Sequence, residues 1–276
     1  MQATYHGASM GNAMTANEPA IVDADSRSLE VRNINFSDLM DALAKGYDDF
    51  TAMPSHAVFL CVIYPIIGLM VLRFVSGQSL LPMLFPVVAG YALVGPFAAI
   101  GLYELSRRRE LGIDASPAHI FEVFWSPAIG AVAALGALLT LIFIFWLVAA
   151  QEIYRFAFNG VMPATVDDFI RQIATTHAGW VLILLGNGVG FLFAVVAFSV
   201  GVVSFPLVID RHVDAARAIV TSLRAVAANP ITMAVWGLII AVALALGSMP
   251  LFLGLIVVMP VLGHASWHLY RHVVAH

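Results

Sequence analysis

The sequence predicts an all-α, polytopic membrane protein with six transmembrane helices. Three observations carry that expectation. Of the 276 residues, 61% are hydrophobic and only 11% are charged, less than half the roughly 25% charge of soluble domains. Six apolar runs approach or exceed the roughly 20 residues that a helix needs to cross the hydrocarbon core. The basic residues, finally, collect in alternate connections between those runs.

The runs cover about 57–75, 80–104, 128–150, 179–208, 231–247 and 249–270. The fourth is long for one crossing, so it should tilt or extend beyond the bilayer. The last two are parted only by GSMP, residues 247–250, which reads as a tight hairpin. Orientation follows from Lys and Arg. One side collects Arg27, Arg32, Lys45, Arg107, Arg108, Arg109, Arg211, Arg217, Arg224 and Arg271, while the other has Arg73, Arg155 and Arg171. Both termini are therefore expected in the cytoplasm of a bacterial inner membrane. Ahead of the first run, residues 1–35 read as an acidic, disordered cytoplasmic tail without an apolar signal segment. Residues 36–276 form the transmembrane domain.

Each odd-numbered run follows an amphipathic stretch that closes on proline: FSDLMDALAKGYDDFTAMP (36–54), SPAHIFEVFWSP (116–127) and DAARAIVTSLRAVAANP (214–230). In the first, Leu39, Met40, Leu43, Tyr47 and Phe50 form a stripe opposite Asp38, Asp41, Lys45 and Asp48. Such helices lie in the bilayer interface. The ends of runs two and six also align, Pro96 with Pro260, Leu105 with Leu269 and Arg107 with Arg271. The chain thus reads as three repeated units, each a cytoplasmic interfacial helix plus a transmembrane hairpin.

Several functions are disfavoured. A net charge of −4 makes nucleic acid a poor partner. Cys61 is the sole cysteine, so no internal disulfide forms. Walker A, GxSxG, HExxH and CxxC patterns do not occur.

The stretches GPFAAIGLYELSRRRELG (95–112), FPLVIDRHVDAARAIVTSLRAVAANP (205–230) and LGLIVVMPVLGHASWHLYR (253–271) resemble the DUF2189 family of bacterial integral membrane proteins. The resemblance extends over about 35–272. It implies a six-span inner-membrane protein without an assigned reaction, in a family where some members bear the label of cytochrome c oxidase component. The family motif fits His264, Trp267, His268, Tyr270 and Arg271.

The C-terminal GHASWHLYRHVVAH (263–276) holds His264, His268, His272 and His276. Four-residue steps drift about 40° per step around a helix, so the ladder reduces to the pair His264 and His268. Zinc usually takes three or four protein ligands. Hydrogen bonding across the end of the bundle is therefore favoured over a metal or a proton-handling role, and haem is disfavoured. Through the repeat, Glu104 is the expected partner. Trp267 and Tyr270 should anchor at the interface, and Arg271 should meet headgroups. In GNGVG (186–190), Gly186 and Gly190 form a GxxxG pair, with Asn187 as an interhelical donor.

No catalytic residue, metal or cofactor is expected. The function expected is that of a non-catalytic accessory or assembly subunit, beside respiratory-complex subunits or self-associated. The alternative is a small-molecule or lipid transporter, for which Pro96 and Pro260 could interrupt matching helices.

Overall fold

The computed structural model describes residues 29–53, 65–66, 68–70, 73, 81–91 and 95–275. Among these, regular structure is helical apart from one antiparallel bridge between Val31 and Val274. The helices are α1 (Phe36–Ala52), α2 (Leu84–Tyr91), α3 (Gly95–Glu110), α4 (Ile129–Phe158), α5 (Val166–Thr175), α6 (His177–Gly201), α7 (Ser204–Arg211), α8 (Ala215–Ala228), α9 (Pro230–Ser248) and α10 (Leu255–Val273). Short 3-10 turns cover Leu81–Met83 and Pro117–Trp125.

Three segments are long and apolar enough to cross a membrane: Ile129–Phe158, His177–Arg211 through the α6–α7 break, and Pro230–Ser248. They match the third, fourth and fifth apolar runs. The first run, 57–75, lies outside the described residues except for 65–66, 68–70 and 73. The second falls into α2 and α3, and α3 carries the helix past the apolar residues through Arg107, Arg108 and Arg109. The sixth begins as a helix only at Leu255 and continues to Val273.

The reasons are local. The turn after α9 is longer than GSMP and runs to Gly254, with Leu251 and Phe252 at φ 53° and 65°. A Cβ on Gly254 would lie 2.7 Å from the Cα of Gly247, so the hairpin closes through two glycines. In the fourth run the helix breaks at Val202–Val203. The break is satisfied internally. Val203 N–H donates to Ser222 Oγ at 3.2 Å, and that hydroxyl donates to the Ser199 carbonyl at 2.7 Å.

α1 begins with a reciprocal cap. Asn35 accepts from the backbone N–H groups of Ser37 and Asp38, and the Asp38 carboxylate accepts from Asn35 N–H at 2.8 Å. Its buried face is Leu39, Ala42, Gly46 and Asp49, one stripe at alternating three- and four-residue spacing. The apolar stripe expected from sequence is rotated off that face: Leu39 is buried, yet Met40 and Tyr47 are 63% and 59% exposed. Gly46 decides the docking. A Cβ there would sit 2.6 Å from both the Cβ and the backbone nitrogen of Ala265, so α1 and α10 meet backbone to backbone.

Residues 29–35, assigned to the tail by composition, belong to the folded body. Arg32 N–H donates to Val273 O at 2.7 Å and Ala275 N–H to Glu30 O at 2.9 Å. Asn229 ties the same strap to the α8–α9 corner, accepting from Ile34 N–H at 2.8 Å and donating to Arg32 O at 3.0 Å. Residues 1–28 lie outside the described residues.

The core gathers where α4, α7, α8, α9 and α10 converge. Leu135, Leu139, Phe205, Leu207, Trp236, Trp267 and Tyr270 are all buried there. α4 and α6 instead pair along a mostly exposed apolar surface, with Leu141, Phe145, Leu184, Phe191 and Leu192 among the exposed side chains. α5 was not anticipated. It is capped by Thr165 and buries no residue.

Candidate functional site: a histidine–carboxylate ladder

Asp49 is the centre of the charged end. It lies on the buried face of α1 with only 4% of its surface exposed. An isolated carboxylate could not be ionised there, because desolvation penalises charge. Three donors from two other helices resolve this. His268 Nε2 and Ser106 Oγ reach Oδ2 at 2.8 Å and 2.6 Å, and the Arg109 guanidinium donates to Oδ1. Burial by itself would raise the Asp49 pKa. The bonds from His268, Ser106 and Arg109 outweigh it and hold the group at about 2.

His264 lies one turn before His268, fully buried. Its Nδ1 is 2.7 Å from Ser106 Oγ. The serine has one proton. Given to Asp49, it leaves Ser106 as acceptor, so His264 Nδ1–H donates. The chain therefore runs His264 to Ser106 to Asp49. His264 Nε2 is then a buried nitrogen without a hydrogen-bond partner among the described residues. One turn beyond His268, His272 Nε2 lies 2.8 Å from Asp41 Oδ2 and its Nδ1 lies 3.9 Å from Asp38 Oδ1. The histidines of α10 thus meet the aspartates of antiparallel α1 in reverse order, with Ser106 of α3 between the two helices.

Glu104 is not their partner. It accepts two bonds from Arg107 at 2.8 Å and one from Arg108 at 2.7 Å. The alignment with His268 pointed to Glu104, but helix phase turns it to its own helix's arginines three and four residues on. Arg108 reaches further to Glu122 at 2.6 Å, tying α3 to the 3-10 turn before α4. There His119 bridges Glu122 at 2.7 Å and Asp114 at 3.0 Å, and those two carboxylates raise its pKa.

Trp267 and Tyr270 are core residues, correcting the expectation of interfacial anchors. Both are fully buried. Trp267 Nε1 donates to Glu110 at 3.0 Å, and Tyr270 Oη donates to Asp210 at 2.6 Å. Arg271 pairs with Glu110 at 2.8 Å and with Asp210 at 3.7 Å, using acids of α3 and α7 where headgroups were expected. These aromatics satisfy their polar tips inside the protein, which lets their rings be buried.

The GNGVG motif divides. A Cβ on Gly190 would lie 2.9 Å from the Trp146 ring, while one on Gly186 meets nothing within 4 Å. Asn187 is exposed and donates to Ile183 O of its own helix at 2.7 Å, so it is not the interhelical donor. Pro260 is buried inside α10, and Pro96 stands in the first turn of α3, where its lack of an N–H costs nothing.

Asp49, Ser106 and Arg109 were missed from sequence. A signal existed: Leu39, Ala42, Gly46, Asp49 and Met53 keep the 3-4-3-4 spacing of a packing seam. With Ser106 and His264 shut from solvent, the arrangement clamps helices and exposes no nucleophile. Among the described residues no group of three or more His, Cys, Asp or Glu side chains is placed to hold a metal ion.

Two of the three membrane-length segments fall in the stretch that resembles known proteins. The chain matches DUF2189, a predicted integral membrane protein family, over residues 84–210. The family's description mentions no oxidase. The DUF2189 match runs from α2 into α7 and stops at Asp210, so it is narrower than the expected 35–272 and omits both α1 and α10. No curated protein and no solved structure matches the chain.

Proposed function

We propose that this DUF2189 protein is a non-catalytic inner-membrane subunit that acts by associating with other membrane proteins. It would cross six times with both termini in the cytoplasm, its charged end facing inward. The ten Lys and Arg assigned to one side support that orientation. The observation that carries the subunit reading is where ionisable groups sit. The membrane-length helices hold theirs near the ends: Glu152 and Arg155 on α4, His177, Asp210 and Arg211 on the α6–α7 segment, and none on α9. Coupled transport generally needs such groups at membrane depth. At the helix break that could have favoured a carrier, Ser222 already accepts from Val203 N–H and donates to the Ser199 carbonyl. What remains is an end clamped by bonds between α1, α3 and α10 and a broad apolar face on α4 and α6.

The test is photo-crosslinking in native membranes from Phe191 and Leu184, both exposed on α6. A single crosslinked protein partner, recovered again by co-purification at native expression, is the expected result. Crosslinks to lipid alone, together with solute flux in proteoliposomes, would replace this reading with the carrier.

A further inference from the structure

The face of α8 that the protein leaves uncovered has the composition of a lipid-binding surface. Its buried side is Ala218, Thr221, Ser222 and Ala225, packed toward α6 and α7. On the opposite side Ala216, Val220, Leu223 and Ala227 recur at four- and three-residue steps, all exposed, with Val220 and Leu223 each at 45%. Arg217 and Arg224 follow that stripe by one residue, which sets both guanidinium groups along one flank. Arg217 also reaches Asp214 at 3.4 Å, both side chains being more than half exposed, so its charge stays in contact with water. The helix then turns at Asn229–Pro230 directly into α9, a membrane-length segment whose first residues include Ile231, 71% exposed.

We propose that α8 lies in the membrane surface as a binding site for anionic phospholipid, its apolar stripe among the acyl chains and Arg217 and Arg224 on the headgroups. The occupant is fixed by two features together. Continuity with α9 puts the stripe at the bilayer boundary, and the arginine flank selects negative headgroups. The acidic flank of the exposed stripe on α1 lacks that selectivity. This inference rests on the membrane reading alone and stands or falls independently of the subunit role.

The experiment uses the full chain in nanodiscs of phosphatidylcholine with or without phosphatidylglycerol, with Cys61 replaced by Ala or, as a second background, by Ser. Spin labels at Val220→Cys and Leu223→Cys should collide with oxygen and be shielded from an aqueous nickel chelate. Lipid mass spectrometry should show phosphatidylglycerol enrichment around the protein. Arg217→Gln and Arg224→Gln should each weaken that enrichment by up to about fivefold, the worth of one basic residue at an anionic surface. Nickel-accessible labels in both bilayers would overturn the proposal, because the helix would then stand in water. Dipolar broadening with exclusion of both reagents would overturn it in favour of a second copy covering the face. Insertion with inert arginine variants would overturn the anionic selectivity.

Discussion

Two closely packed helix pairs of this protein are held in register by different forces. α1 and α10 meet at the charged end, where Asp49, Asp41 and Asp38 face His264, His268 and His272 across a backbone contact between Gly46 and Ala265. α4 and α6 meet along apolar surface, where polar groups bond away from the seam, Trp146 to the Pro86 carbonyl of α2. Thr140 bonds the Gly136 carbonyl and Asn187 the Ile183 carbonyl, each within its own helix. The contrast has a physical cause. In an apolar surrounding an unpaired polar group costs several kcal/mol, so side chains there bond the nearest carbonyl and register is left to shape. At the charged end, acids and bases from different helices can satisfy one another, and charge then adds to shape in choosing the pairing.

The comparison breaks most readily at Gly46. Gly46→Ala forces a methyl into Ala265 backbone that cannot move aside, and the expected loss is at or above the top of the roughly 1–3 kcal/mol range for overpacking. Thermal melting of the detergent-solubilised protein reads it. An unchanged melting temperature would mean that α1 is not docked on α10.

Asp49→Asn comes next. It leaves Arg109 and His268 facing a neutral amide, and breaking a buried pair costs roughly 3–5 kcal/mol at most, less where water reaches Arg109. The pH dependence is the sharper readout. Asp49 has a lowered carboxyl pKa, at about 2, so its contribution is complete above the ordinary carboxylate range. It is lost as pH falls from about 4 toward 2. The difference in stability between wild type and Asp49→Asn should therefore shrink across that window and be constant above it. A difference independent of pH would assign the loss to packing instead of charge.

Shape alone is tested at Gly190. Gly190→Leu meets the Trp146 ring, which is itself fixed by its bond to the Pro86 carbonyl at 3.1 Å. The expected cost is about 1–3 kcal/mol. Gly186→Leu, with nothing near its Cβ, should melt like wild type, and equal damage from both would restore a symmetric GxxxG contact. The smallest effect belongs to Asn187→Leu. Only a bond within one helix is lost, so stability should stay within about 0.5 kcal/mol of wild type, as measured in the same melting assay.

Helical class and membrane character were legible directly, because apolar runs of span length report on the solvent and need no knowledge of neighbours. The amphipathic stretches 36–54 and 214–230 were legible too, as α1 and α8, and the one at 116–127 emerged as a 3-10 turn. Helical drift reduces the histidines to His264 and His268 in sequence, whereas in the fold His272 faces Asp41 of α1 as well, because a second helix can follow the drift around α10. The pair's partner was not legible. Alignment of two sequence stretches singles out Glu104, but position along a helix does not fix rotation about its axis. A difference of two residues, Glu104 to Ser106, turns the side chain by about 200° and swaps an intrahelical arginine pair for an interhelical relay.

Sequence by itself therefore determined what each segment is made of: helix, apolar length and the polar end. Tertiary structure alone decided which face of α1 is buried, that Trp267 and Tyr270 are core and not anchors, and that residues 30–32 bond to 273–275 beyond the end of α10. The physical reason is the same in each case. Composition and periodicity act within one segment. The choice of face rests on whether a second helix offers a gap the size of Gly46 and a donor for Asp49, and those lie 219 residues away along the chain at His268.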